Sequence, residues 1–290
     1  MNMKKLSGIA AGFALAVGIA APAQADIVLQ SGDLRIEFAA FDAGTLGYGT
    51  ENRIYCTSVS ECDTVAAGRT APGAIGSEDT WGIFSVSRIS RISDGSAVFI
   101  SGQNGRYLTG VFGGISDAFV EGFSGDSGQQ TRALGLGGWM NVYETGRDYN
   151  SRPGPTGRIG ETGYRGITDI PHTLALSADF GGGVYAGQPE YTYVSEFGVN
   201  GSNGEGEAFL DITGGYMADQ FTTGAFRDNN GGRHDLYLST EYAPARGATA
   251  NGWTVVATGQ VLGEVPEPGS LALLGLGFAG LGFMRRRRAA

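Results

Sequence analysis

Few residues in this 290-residue chain have the type and spacing to do chemistry. Gly125-Asp126-Ser127-Gly128 is the kind of Gly-bounded turn that presents a nucleophilic Ser beside oxyanion-hole amides, and such a Ser needs a His to accept its proton. In the protease arrangement that uses this turn the His precedes the Asp and the Ser. Here the two histidines, His172 and His234, both follow Ser127, and Gln129 stands where a second Gly is usual. A second run, Asp228-Asn229-Asn230-Gly231-Gly232-Arg233-His234-Asp235, has the oxygen-rich start of a Ca²⁺ loop, but Gly232 falls where a third ligand is required. An Asx-turn, in which the side-chain oxygens cap local N–H groups, explains the same residues. Asp117 and Glu121 are spaced like a helical pair yet lie in a Phe/Gly-rich segment. Trp81, Trp139 and Trp253 could stack on sugars, but each sits in a strand-like run where core packing is the commoner fate. No coherent catalytic set, zinc spacing or phosphate loop emerges; the expectation is a protein that is not an enzyme and holds no cofactor or metal.

Cys56 and Cys62 stand alone in the chain. Their neighbouring ends place them in an oxidising compartment, where a short structural disulfide closing Thr57–Glu61 is the expectation. At the N-terminus, Lys4 and Lys5 precede an apolar stretch from Leu6 to Ala20, Pro22 stops it, and Ala23-Gln24-Ala25 supplies the small-x-small site of a signal peptidase. Residues 1–25 read as a secretory signal peptide cleaved between Ala25 and Asp26, so the Sec machinery and signal peptidase are expected partners. At the C-terminus, Val265-Pro266-Glu267-Pro268-Gly269-Ser270 leads into the apolar run Leu271–Met284 and then Arg285, Arg286, Arg287 and Arg288. The arginines would stay in the cytoplasm and leave the body outside. Fourteen apolar residues make about 21 Å of helix, short of a ~30 Å hydrocarbon core. That suits a transient membrane address better than a permanent anchor. The Gly275-Leu276-Gly277-Phe278-Ala279-Gly280 run within it satisfies a dinucleotide-binding pattern but lacks the strand before and the acidic residue after.

The order Pro266-Glu267-Pro268, Gly-rich apolar helix, Arg285–Arg288 resembles a PEP-CTERM sorting signal over residues 264–290. The resemblance implies an exosortase in the inner membrane of a Gram-negative bacterium that recognises the tail and removes it at or near Pro-Glu-Pro. It also implies a setting of exopolysaccharide, biofilm or floc production. Tails of this form are also labelled as a C-terminal segment of ice-binding proteins, a label for the tail alone. The body resembles other exported proteins with this tail in Glu78-Asp79-Thr80-Trp81-Gly82-Ile83-Phe84, Leu108-Thr109-Gly110-Val111-Phe112, Gly154-Pro155-Thr156-Gly157-Arg158-Ile159-Gly160 and Gly166-Ile167-Thr168-Asp169. That second resemblance brings no catalytic residues with it.

The elements between the two ends must position whatever the protein uses. Glycine supplies 51 residues without the period of collagen, and hydrophobic residues make up 41%, enough for a core. Of 29 acidic residues only Glu267 lies outside Asp26–Val265, and of 20 basic residues Lys4, Lys5 and Arg285–Arg288 do. The body is left with 28 acids against 14 arginines and no lysine, which excludes nucleic-acid binding and repels anionic polymers unless divalent cations bridge them.

Leu34, Ile36 and Phe38 alternate with Arg35 and Glu37, as in a half-buried strand. Trp81–Val86 and Ala97–Ile100 flank an Asp94-Gly95 turn and predict a hairpin. Further strands are expected within Trp139–Tyr143, Thr173–Leu176, Tyr191–Val199, Ala208–Ile212, Asp235–Tyr242 and Trp253–Val261. The pattern predicts an all-β, single β-sandwich-like Gly-rich domain over residues 26–263. Asn150–Thr168 breaks it: this stretch has no strand period and carries Arg152, Arg158 and Arg165, which could pair with the acidic body and order a binding loop. Together these features predict a non-catalytic exported surface or matrix protein. The alternatives are a carbohydrate- or Ca²⁺-dependent binding module, a hydrolase using Ser127, and an ice-binding protein, for which Thr222-Thr223 is no Thr array.

Overall fold

The computed structural model describes residues 32–43, 80–125, 128–198, 203–245 and 251–265. Cys56, Cys62, Ser127, the signal-peptide site Ala23–Asp26 and the tail from Pro266 lie outside them. Fourteen strands are formed by the described residues: β1 (Gly32–Asp42), β2 (Thr80–Arg91), β3 (Ala97–Ile100), β4 (Tyr107–Gly125), β5 (Gly128–Thr145), β6 (Arg158–Ile159), β7 (Gly163–Tyr164), β8 (His172–Gly181), β9 (Tyr193–Gly198), β10 (Gly204–Gly214), β11 (Phe226–Arg227), β12 (Arg233–His234), β13 (Leu236–Pro244) and β14 (Val255–Val265). One short helix, α1 (Ala218–Phe221), follows β10. The expected all-β architecture is present.

The two faces expected of a sandwich belong to one sheet. Its strands run β1-β14-β13-β10-β8-β5-β4-β2, every neighbouring pair antiparallel, and β2 pairs back onto β1. Closure makes an eight-stranded, barrel-like sandwich and removes the open edges that a flat sheet would expose. Alternation then sorts side chains by parity. Leu34, Ile36, Phe38 and Ala40 of β1 point inward with Phe84 and Val86 of β2, Val261 of β14, Leu236 of β13 and Leu210 of β10. Phe38 and Phe84 meet edge to face at 5.9 Å, and Phe84 and Phe112 lie 6.4 Å apart, so large aromatic side chains fill the interior.

The ends of the barrel differ. The register Gly32↔Val265, Leu34↔Arg91 and Tyr107↔Thr145 defines a lower rim, which Met217, Phe221 of α1 and Phe99 of β3 plug with buried side chains. There Arg106 makes a bidentate pair with Glu144 at 2.7 and 2.6 Å, and the Tyr216 hydroxyl donates to the same carboxylate at 2.6 Å. At the opposite end, Asp42↔Gly82 and Thr80↔Ile115 mark an upper rim, beyond which the β4–β5 ladder continues to Gly125↔Gly128.

One slot of the sheet is filled in two pieces. β8 pairs with β5 over Trp139–Thr145 and with β10 over Phe209–Gly214. β9 pairs with the same two strands over Gln130–Gly135 and Gly204–Ala208. β8 and β9 are thus one strand interrupted by residues 182–192, which leave the sheet and fold over its outer face.

Candidate functional site

Residues 146–171, which contain the predicted loop, form a strap that leaves the lower rim after β5 and returns to it before β8. Its course is set by aromatic anchors. Tyr164 and Ile167 are fully buried against Trp81, Ile83, Val111 and Tyr143, which project outward from the barrel wall, and against Trp253 just before β14. Trp253 Nε1 donates to the Ser151 carbonyl at 2.8 Å, and the Tyr164 hydroxyl donates to the Gly154 carbonyl at 3.1 Å. Gly154 has φ +62° and lies so close to the Asn251 carbonyl that any Cβ would collide with it. Burial pushes the Tyr164 phenol up to about 12 and raises Tyr149 further, which keeps both neutral under the strap.

The arginines of the strap make contacts of different kinds. Arg158 lies over the Trp81 ring at 4.5 Å and donates to the Glu161 carbonyl at 2.8 Å. Arg152 and Arg165 have no ion pair among the described residues. Arg147 and Arg165 instead line an open cleft of about 210 Å³ with Asp148, Asn150, Pro153, Gly166 and Asp169. One oxygen of each acid is tied to the backbone, Asp148 by Tyr149 N and Asp169 by Gly166 N. The cleft presents guanidinium donors and carboxylate acceptors on a frame fixed by Tyr164 and Ile167. Such a set can hydrogen-bond hydroxyls and carboxylates, and its volume is below the ~300–1,000 Å³ of drug-sized pockets.

A second covering lies over another part of the wall. Residues 182–192 and Phe226 of β11 pack on Phe209, Leu134 and Tyr237. His234 is buried there, stacked on Phe209 at 5.0 Å. Its Nδ1 is 2.9 Å from Asp211 Oδ1 and its Nε2 is 3.3 Å from Asp228 Oδ2. Gly181 makes room for the ring, since a Cβ there would strike it. Asp228 Oδ1 accepts from Asn230 N and Gly232 N at 2.7 Å each, so the Asp228–Gly232 run is an Asx-type turn. Burial alone would raise the Asp228 carboxyl, but those two amides and His234 outweigh it and hold it below the usual carboxylate range. Asp235 is spent in the same way, accepting from Thr223, Gly224 and Ile212. Both Asp228 oxygens are engaged within the protein, and no group of three metal-ligating side chains occurs among the described residues.

The remaining sequence candidates are dispersed. His172 begins β8 and sits exposed beside Tyr143, while His234 packs at Gly181, where β8 ends; nine strand residues, about 30 Å, separate them. Trp81 and Trp253 are buried in the strap cluster and Trp139 packs against it, so these rings are core. Asp117 and Glu121 lie in β4 rather than on a helix. Sequence reasoning missed Tyr164 and Ile167 as anchors and Arg147 as a cleft residue. Their one signal was an aromatic and an aliphatic residue three apart in an otherwise polar stretch.

The body runs on at β14 into a Pro-Glu-Pro, apolar and Arg-rich tail. Residues 264–288 match the PEP-CTERM protein-sorting motif, which supports an exported, C-terminally sorted protein with an exosortase as the processing partner and implies membrane-anchored sorting before surface display. No curated protein and no solved structure matches the chain.

Proposed function

We propose that the barrel is a non-catalytic surface or matrix protein that associates with exopolysaccharide, biofilm or floc once its tail has been processed. The observation that carries this reading is the direct continuity of a side-chain-filled barrel with the sorting motif: β14 ends at Val265 and the motif spans 264–288. The cleft on the strap is the place where polymer would touch. An acidic body repels an anionic chain at distances up to a Debye length, about 8–10 Å, so contact needs cationic groups or a weakly charged polymer. In the cleft the guanidiniums of Arg147 and Arg165 are balanced by Asp148 and Asp169, so it can donate to sugar oxygens and accept from sugar hydroxyls.

Retention of the protein on the producing cell's own polysaccharide tests the reading. The wild type should be held and released by salt, and the double substitution Arg147→Glu/Arg165→Glu should lose most of that retention without a change in melting temperature. A folded wild-type protein that passes through unretained would contradict polysaccharide association. Equal retention of both would move the contact away from the cleft.

A further inference from the structure

We propose that the tail holds the barrel upright on the membrane by its α1 end, with the β4–β5 hairpin pointing away from the lipid. The inference rests on the tail being a membrane address and follows from the register of the closed sheet. Val265 is buried and paired with Gly32, so the chain enters and leaves the barrel at one rim, the rim plugged by Met217 and Phe221. Pro266 follows Val265 with no Gly/Ser linker between the last paired residue and the motif. Leu271, the first residue of the apolar run, is six residues beyond Val265, which spans at most about 20 Å even when fully extended.

The lower rim is therefore tethered close to the lipid, and strand length separates the two rims. β14 and β1 each have 11 residues; at ~3.3 Å per residue and a barrel tilt of roughly 35–45°, they lift the upper rim about 25 Å above the lower one. The β4–β5 ladder carries on past the level of Ile115 to Gly125 and extends the molecule further in the same direction.

The test uses the mature chain, from Asp26 through the intact tail, in vesicles of phosphatidylethanolamine and phosphatidylglycerol that carry an energy-transfer acceptor on the headgroups. A fluorophore is attached through a bio-orthogonal amino acid at Ser93, in the lower β2–β3 turn, or at Glu205, at the start of β10. Both positions are exposed. Emission at Ser93 should be quenched several-fold more strongly than at Glu205. Inserting twelve Gly/Ser residues between Val265 and Pro266, a spacer of roughly 20 Å root-mean-square length, should erase the difference. Equal quenching at both positions in the unmodified, vesicle-bound chain overturns the upright pose and leaves the sorting reading intact. A chain that floats free of the vesicles, with neither probe quenched, overturns the pose together with the membrane-address reading beneath it.

Discussion

The strap over Trp81 and Trp253 and the patch around His234 do the same job on different flanks of the barrel, covering outward-facing apolar side chains of a sheet whose other face is already its core. They do it with different forces. The strap is pinned by burial of Tyr164 and Ile167 against two indoles, with the hydrogen bond from Trp253 to Ser151 fixing its register. The patch is tied by carboxylates: Asp211 and Asp228 grip one imidazole, while Asp228 and Asp235 take five backbone N–H groups between them. A covering made by burial can spare its polar groups for solvent, and the strap has Arg147 and Arg165 to spare. A covering made by hydrogen bonds consumes its polar groups, which is why the Asp228–Asp235 run offers no oxygen-rich site despite its composition.

The largest effect that would sharpen this contrast is Trp253→Ala. Removing a buried indole that supports the whole strap should cost about 3–5 kcal/mol in denaturant unfolding. The same variant should expose the strap to proteolysis before the barrel unfolds, and a loss under about 1 kcal/mol would show that burial does not hold the strap.

Next comes acid. Asp228 titrates below its usual range in the folded protein, so its contribution is fully present above about pH 4 and disappears as pH falls through the depressed value. Asp228→Asn should lower stability at neutral pH by roughly 1–2 kcal/mol and flatten the acid limb of the stability profile. An unchanged acid limb would mean the patch is not tied by this carboxylate. Alkali does not separate the two coverings, since burial raises Tyr149 and Tyr164 in the strap and Tyr237 in the patch alike. Stability from these phenols is complete below about pH 10 and is lost as pH climbs toward their folded values.

The smallest effect belongs to Arg158→Ala, which removes a partly exposed cation from the Trp81 face and should cost about 0.5–1 kcal/mol by thermal melting. A cost several times larger would give electrostatics a share of the strap that the comparison assigns to burial.

Much of this fold could be read from periodicity, and the failures are physical. The alternation of Leu34, Ile36 and Phe38 marks β1, and the turn at Asp94-Gly95 marks β2–β3, although the main partners of β2 are β1 and β4. The long strand β4 and the first half of β5 escape a period-two reading because glycines interrupt the pattern at Gly110, Gly113, Gly114, Gly137 and Gly138, whereas Trp139–Tyr143 marks the end of β5. Closure through β1–β2 is a non-local pairing that local sequence does not specify. The strap was legible as an exception but not as an anchored one, because its partners Trp81, Val111 and Trp253 come from three distant strands or strand ends. The sorting tail was the most legible part, since its message lies in linear order and needs no tertiary structure to be read.

Intact mass of the protein in the membrane, extracellular-polymer and medium fractions of the native cells tests the account most directly. The account predicts a species that begins at Asp26, ends near Pro266–Pro268 and is enriched in the polymer fraction. A full-length tail retained in the inner membrane, with no processed form in the polymer, would contradict it and leave a membrane-tethered protein in place of a matrix one.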